Sequence, residues 1–482
     1  MSALFGKVAG NEKAGSLMSF RYCLLPLLAA VCLSATPVRA QTLLESLAAA
    51  YENNPDLAAA RAGLRATNEQ VPQAKAGWRP SVSLSADVGG QRTWTKTRSS
   101  EGSAVIYPRG ASLNVEQPVY TGGQVAAAVA SAESTVLAQR SRLVTTEQNV
   151  LGDAVTAYMD VWRDESTLEL NKNNLQVLQR QLQATQDRFR VGEVTRTDVA
   201  QAESRVANAQ AQVTAAEGSL QNSRAIFLRI IGLVPGTLRP PEQIRGLPES
   251  LPATIEQARA TNPSVIAARF DEAAAEYDVR QALGALLPSV SVQGSISGNQ
   301  DSSVAIQHTD TFSQQITAQV TIPLYQQGAE YSVVRQAKEV ANQQRLVVEQ
   351  SRRAAEQQAT SAWETWRSSR AQITSRREQV RAQQIALEGV RQENLVGTRT
   401  VLDVLNAEQE LLDAQVSLVS AQRDDIVASF QLLSAVGRLT ATELGLPVTV
   451  YDPVKDYDAV KDKWIGLQTP SEEAVNTSGG TQ

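Results

Sequence analysis

Four short stretches of the chain alternate apolar and polar residues with period two. Val82, Leu84, Ala86 and Val88 alternate with Ser81, Ser83, Ser85 and Asp87. Leu113, Val115 and Val119 do the same, then Val290, Val292 and Ile296, then Ile316, Ala318, Val320 and Ile322. Period two predicts strands with one apolar and one polar face, at about 81–92, 110–120, 288–299 and 311–323. Elsewhere the period is helical. Val199, Ala202, Val206, Ala209, Val213, Ala216 and Leu220 step by three and four. Val404, Ala407, Leu411, Ala414, Leu418 and Ala421 repeat that step, and Leu175, Leu178, Leu182 and Phe189 hold a register on the helix before. These are heptad seams in which small alanines let neighbouring helices approach. Proline is absent from 119–234 and from 324–446. A first helix of about 65 residues in each stretch would be roughly 100 Å long, which favours a rod over a globular bundle. Helices are also predicted over about 42–77 and 253–286, closed by Pro80 and Pro288. Polar segments near 93–110 and 299–311 read as loops between strands.

The pattern occurs twice. Asn54-Pro55, Arg61, Gln73-Ala74 and Pro80-Ser81-Val82-Ser83 recur 208 residues later as Asn262-Pro263, Arg269, Gln281-Ala282 and Pro288-Ser289-Val290-Ser291. Pro118, Tyr120, Gly123 and Val191-Gly192 recur 205 residues later as Pro323, Tyr325, Gly328 and Val396-Gly397. The difference of three falls in the loop between the strands. A period this long means two copies of one large unit, not a solenoid. The expected division is a first repeat at 41–235 with its long hairpin turning at 191–194, and a linker at 236–252. A second repeat follows at 253–440, turning at 396–399, and then a last segment at 441–482 whose final dozen residues read as disordered.

Composition narrows the function. Residues 1–40 read as a signal segment, with Met18 the expected start and cleavage after Val38-Arg39-Ala40. Both cysteines, Cys23 and Cys32, lie there, so a processed chain has neither disulfides nor thiolate metal sites; lipidation of Cys32 is the lesser reading. Removing four basic and one acidic residue leaves 41 − 49, or −8. That balance argues against nucleic acid as a partner. No later stretch offers eighteen consecutive apolar residues, which excludes a spanning helix but not a barrel. The strands fit either a soluble sheet on a core or membrane strands. No second packing layer is evident nearby, which favours the membrane.

With these features in place, the chain resembles the TolC family of outer-membrane efflux factors over about 42–450. The most specific stretches are Arg190-Val191-Gly192-Glu193-Val194 leading to Thr197-Asp198-Val199, and Val396-Gly397-Thr398-Arg399-Thr400 leading to Asp403-Val404-Leu405. Pro323-Leu324-Tyr325 with Gly328 also matches. The resemblance implies a membrane α+β fold: a homotrimeric twelve-stranded β-barrel, four strands per chain, among outer-membrane lipids. A helical tunnel would continue it across the periplasm, belted by the connector segments. It implies a passive exit duct without cofactor or enzymatic activity. A periplasmic adaptor and an inner-membrane efflux pump or ABC transporter would complete an efflux or type I secretion system. Four strands cannot close a barrel alone, so oligomerisation follows if they span.

The resemblance also assigns residues. Arg399 would hold the tip shut through Thr197 and Asp198, a directional, charge-assisted pairing; the plain alternative is solvated charges beside a turn. Asp403 would form a ring of three carboxylates in the trimer, and such rings select cations. A second acidic ring would fall at Asn406, a departure that puts strong divalent-cation block in doubt. Asn394 stands where relatives can carry a gating tyrosine. Gly192 and Gly397 mark tips for adaptor docking, although any tight turn favours glycine. His308, the single histidine, lacks metal partners by spacing, and Tyr158 and Trp363 read as packing residues. Trp94, Tyr107, Tyr120 and Tyr325 flank strands as candidate interfacial aromatics. A soluble periplasmic coiled-coil adaptor is the rival reading, with an enzyme a distant third.

Overall fold

The computed structural model describes residues 41–98, 100–240, 244, 246–301 and 309–469. The expected signal segment at 1–40, His308 and the expected tail beyond 469 lie outside the described residues. The chain begins with α1 (Leu43–Asn53), α2 (Pro55–Asn68) and α3 (Gln70–Lys75). Strands β1 (Ser81–Val88), β2 (Gln91–Thr97), β3 (Ser100–Ile106) and β4 (Arg109–Tyr120) follow. Then come α4 (Gln124–Arg190) and α5 (Arg196–Ile231). The second half repeats this order with α6 (Leu251–Thr261), α7 (Pro263–Gly284), β5 (Ser289–Gln300), β6 (Asp310–Thr321), α8 (Ala329–Leu395) and α9 (Val401–Ala435). A short α10 (Pro453–Val460) closes it.

The single helices predicted over 42–77 and 253–286 are broken at corresponding residues. Asn54 and Asn262 adopt extended backbone and cap the next helix, whose first residue is Pro55 or Pro263. Proline suits that first position because it has no N–H to lose. Each asparagine also donates its side-chain amide to the end of the matching inner helix: Asn54 to Ile230 O at 3.0 Å, Asn262 to Ala435 O at 3.2 Å. The break therefore ties each hairpin to the belt around it, and both asparagines are buried.

Strands pair antiparallel in the order β1-β4-β5-β6. Ser85, Ser112, Ser297 and Ser313 form one row across the sheet. Hydroxyls bridge Ser85 to Ser112 and Ser297 to Ser313, each at 2.7 Å. The next residues along point the other way and are apolar: Leu84, Leu113 and Ile296 share a row, as do Val82, Val115 and Ile316. Among the described residues nothing covers that apolar face, with Val88 86% and Ile316 85% exposed. A soluble sheet would bury it at roughly 25 cal/mol per Å², so the sheet is built to face lipid. The predicted loop at 93–110 is a correction. Strands β2 and β3 pair there, from Gln91 opposite Ile106 to Thr97 opposite Ser100.

The core lies where α1, α2, α4, α5 and α9 meet. Leu47, Leu57, Leu64, Leu151, Phe227 and Leu439 are buried around Tyr158. The Tyr158 hydroxyl lies 2.8 Å from Gln41 O and 2.7 Å from Arg239 O, and accepts the Arg239 N–H at 3.1 Å. Burial pushes this phenol up to about 12, which keeps it a neutral hydrogen-bonding post between the entry segment and the connector.

Candidate gate at the helical tips

Helices α4 and α5 reverse through 191–195, and α8 and α9 through 396–400. The two turns are built alike. Gly192 and Gly397 have φ of +80° and +79°, the left-handed region where a side chain strains the backbone. After each turn a threonine starts the inner helix. Thr195 and Asp198 form a reciprocal capping box, and so do Thr400 and Asp403. Asp198 Oδ2 accepts the Thr195 N–H at 2.9 Å and its hydroxyl at 2.8 Å. Asp403 Oδ2 accepts the same groups of Thr400 at the same distances. The Thr-x-x-Asp spacing is a readable helix-start signal that the gate interpretation of these two acids passed over.

These bonds give Asp403 its electrostatic character. Hydrogen bonds from the Thr400 backbone and hydroxyl hold its carboxyl below the usual range, and Arg399 assists. A carboxylate fixed this way stays ionised at neutral pH. Its second oxygen is left for other partners.

Arg399 is not on Thr197 or Asp198 within the chain. Its Nε donates to Glu393 Oε2 at 2.9 Å, across its own turn. Thr197 is exposed. In the first hairpin Arg188 pairs with Glu193 at 3.1 Å. Glu393 stands 205 residues after Arg188, so the two tips carry the same kind of link with the charges reversed. Asn394 is buried and donates to Arg399 O at 2.8 Å; it straps the turn that presents the arginine.

The two hairpins meet just above the turns. Leu178 and Ala202 of the first pack with Val401 and Leu405 of the second, and Leu405 is 2% exposed. Beside this cluster Arg205 donates to Asn406 Oδ1 at 2.7 Å. Sequence reasoning singled out Asn406 and missed Arg205, because a contact spanning 201 residues leaves no local pattern. Arg391 donates to Glu408 Oε1 at 3.1 Å and joins α8 to α9 one turn further along. Glu408 is buried, and that burial raises its carboxyl against the pull of Arg391. Among the described residues no group of His, Cys, Asp and Glu is arranged to hold a metal ion.

Known proteins share this organisation. The family model for "Outer membrane efflux protein" matches residues 47–233 and 254–438, one match per repeat. The chain is 38% identical over 456 residues to outer membrane efflux protein BepC of Brucella suis, covering 94% of this chain and 98% of that one. It is 28% identical to outer membrane protein TolC of Vibrio cholerae, over 87% and 97% of the two chains. The fold superposes on the CmeC outer membrane channel of Campylobacter jejuni with a TM-score of 0.73, at 17% identity, covering 87% of this chain and 89% of that one. The rival reading as a soluble periplasmic adaptor is overturned by these matches and by the uncovered apolar sheet. The chain belongs to the outer membrane efflux protein family, with the fold of the trimeric TolC-type channels, and acts at the outer membrane.

Proposed function

We propose that three copies of this chain form a passive exit duct that is closed at rest where the second hairpin is latched to the first. One observation carries the reading. The inner helix α9 is held to α5 by the Leu405 cluster and the Arg205–Asn406 bond, immediately above the two turns. A latch at the far end of a 67-residue helix has the leverage to widen or narrow a tunnel.

Trimer formation is supported by the sheet. Among the described residues its outer strands β1 and β6 each have one neighbour, and open edges are not tolerated in lipid. Three sheets of four strands close into twelve. In that assembly Arg399 turns from Glu393 toward Thr197 and Asp198 of a neighbour, and three Asp403 carboxylates make a cation-selecting ring. Asn406 adds no charge to that ring and instead holds Arg205.

The partners are a periplasmic adaptor at the Gly192 and Gly397 tips and an inner-membrane efflux pump or ABC transporter, which supplies the energy. The duct itself does no catalysis. The cargo is small molecules and, in some settings, proteins, in keeping with relatives named for pyoverdine export and for alkaline protease secretion. Planar-bilayer recording tests the gate. Arg399→Ala is expected to raise the resting conductance, and an unchanged closed state would remove Arg399 from the mechanism.

A further inference from the structure

The first sheet hairpin does not stop at the end of the apolar band. Val88 faces Arg109, the Gly89 N–H donates to Pro108 O at 2.8 Å, and Gln91 faces Ile106. No residue is inserted, so the alternation of faces carries from β1 and β4 into β2 and β3. The face that bears Val82, Leu84 and Val88 therefore continues as Arg92, Trp94 and Lys96 on β2, and as Tyr107, Val105 and Glu101 on the returning strand. The ladder of the second hairpin ends at Gln300 opposite Asp310. The first hairpin thus reaches beyond the paired ladder of the second.

Three observations give this extension a ligand chemistry. First, the two faces differ in chemistry: the outer one leaves Trp94 70% and Tyr107 68% exposed, while the opposite one buries Ile106 at its base, at 4% exposed, and beyond it shows only small or polar residues such as Thr95 and Thr97. Second, the outer face continues the lipid-facing surface and carries the two side chains that suit a membrane–water boundary. Third, charge concentrates here. Residues 88–109 hold Arg92, Lys96, Arg98 and Arg109 against Glu101 alone, a balance of +3 in a chain of net charge −5. Lys96 is paired with Glu101 at 3.1 Å, and Asp310 lies in the row of Arg109. Arg92 packs its guanidinium 5.1 Å from the Trp94 ring, an arrangement that keeps its donors outward. Arg92 lies four residues past Val88, about 14 Å along a strand that membrane barrels tilt by some 40°. That places it near the headgroup layer.

We propose that the outer face of the β2–β3 hairpin rests on the phosphorylated lipid headgroups of the outer leaflet, with Tyr107 at the boundary, Arg109 reaching up to the phosphates from the last apolar row, and Arg92 and Trp94 among the headgroups beyond it. The proposal rests on the outer-membrane placement of the sheet and adds a lipid specificity to it. The test uses the full-length channel in detergent, given equal amounts of phosphatidylglycerol and phosphatidylcholine, with retained lipid read by native mass spectrometry.

The wild-type channel is expected to retain the anionic lipid in excess, and to lose that excess as salt screens the contact. Arg92→Gln with Arg109→Gln is expected to lower the retention roughly fivefold per cation removed, with bilayer conductance unchanged, which shows the duct intact. Equal retention of the two lipids by the wild type overturns the proposal. So does indifference to salt, or displacement of the lipid by equimolar inorganic phosphate, which would mark a site for free anions. The wild-type lipid and salt arms decide the matter even if the double variant fails to assemble.

Discussion

Helices α4 and α8 are each 67 residues long and each starts after a left-handed glycine. Yet α4 buries twenty of its side chains within the chain, and α8 buries six. The first is enclosed by α1, α2, α5, α7 and α9. The second meets α6, α7 and α9 and leaves Tyr331, Val333, Leu346 and Ile385 exposed on its bare flank. Sequence repetition therefore does not mean equal environment. The first hairpin is the core of the protomer. The second is an arm, held by its own partner helix, by the belt and by the latch at its tip. An arm of this kind has apolar surface to give to a neighbouring copy and fewer buried side chains than α4 to hold it in place.

The comparison is broken most strongly at the matched aromatic positions. Tyr158→Ala empties a fully buried site with three backbone contacts, and truncations of this kind cost about 3–5 kcal/mol. Trp363→Ala, 205 residues on, removes a half-buried ring tilted at 58° against Trp366, their centroids 5.3 Å apart. It is expected to cost under half as much in denaturant unfolding followed by circular dichroism. Equal losses would mean that α8 is as deeply buried in the assembly as α4 is in the chain. Next in size is the tip. Leu405→Ala opens a cavity between the hairpins at about 2–5 kcal/mol, and faster hydrogen exchange over 398–408 than over 193–203 is expected. Uniform exchange in both tips would show that the latch does not hold the second hairpin in particular.

The smallest effect depends on pH. Asp425 on α9 is 6% exposed and its Oδ1 has no hydrogen-bond partner. Burial raises its carboxyl, and Arg370 offsets this only in part. A raised folded-state value means that the favourable contribution is full below about 3.8, the ordinary carboxyl value, and is lost as pH rises through the folded value. Asp425→Asn is expected to raise the melting temperature at neutral pH and to lose that advantage below pH ~4. A constant advantage at all pH values would assign it to packing instead of charge.

Much of this was legible before the fold was known, because periodicity is a local signal. The strand alternation from Val82 to Val88 and the seam from Val199 to Leu220 each need only a few neighbours to be read. The Asn-Pro pair was visible at both 54 and 262, but its consequence was not. The pair breaks the helix locally, but the tie that Asn54 makes to a carbonyl 176 residues away, at Ile230, leaves no local signal. The β2–β3 extension escaped because Thr93, Thr95, Thr97 and Ser103 read as loop composition, and only cross-strand pairing makes them strands. At the tips the turn glycines were plain, while Glu393 as the partner of Arg399 was hidden behind the expected link to Asp198. Arg205 carried no signal at all without the contact to Asn406.

The central claim is that the second hairpin swings and the first does not. Both native cysteines lie before residue 41, so Arg205→Cys with Asn406→Cys places the only thiol pair in the described fold. Single-channel recording of that pair in an Arg399→Ala background, before and after bridging with a short bis-maleimide, tests the claim most directly. The account predicts that the unbridged channel shows raised conductance and that bridging returns it to the closed level. A bridged channel that conducts as well as the unbridged one would contradict it.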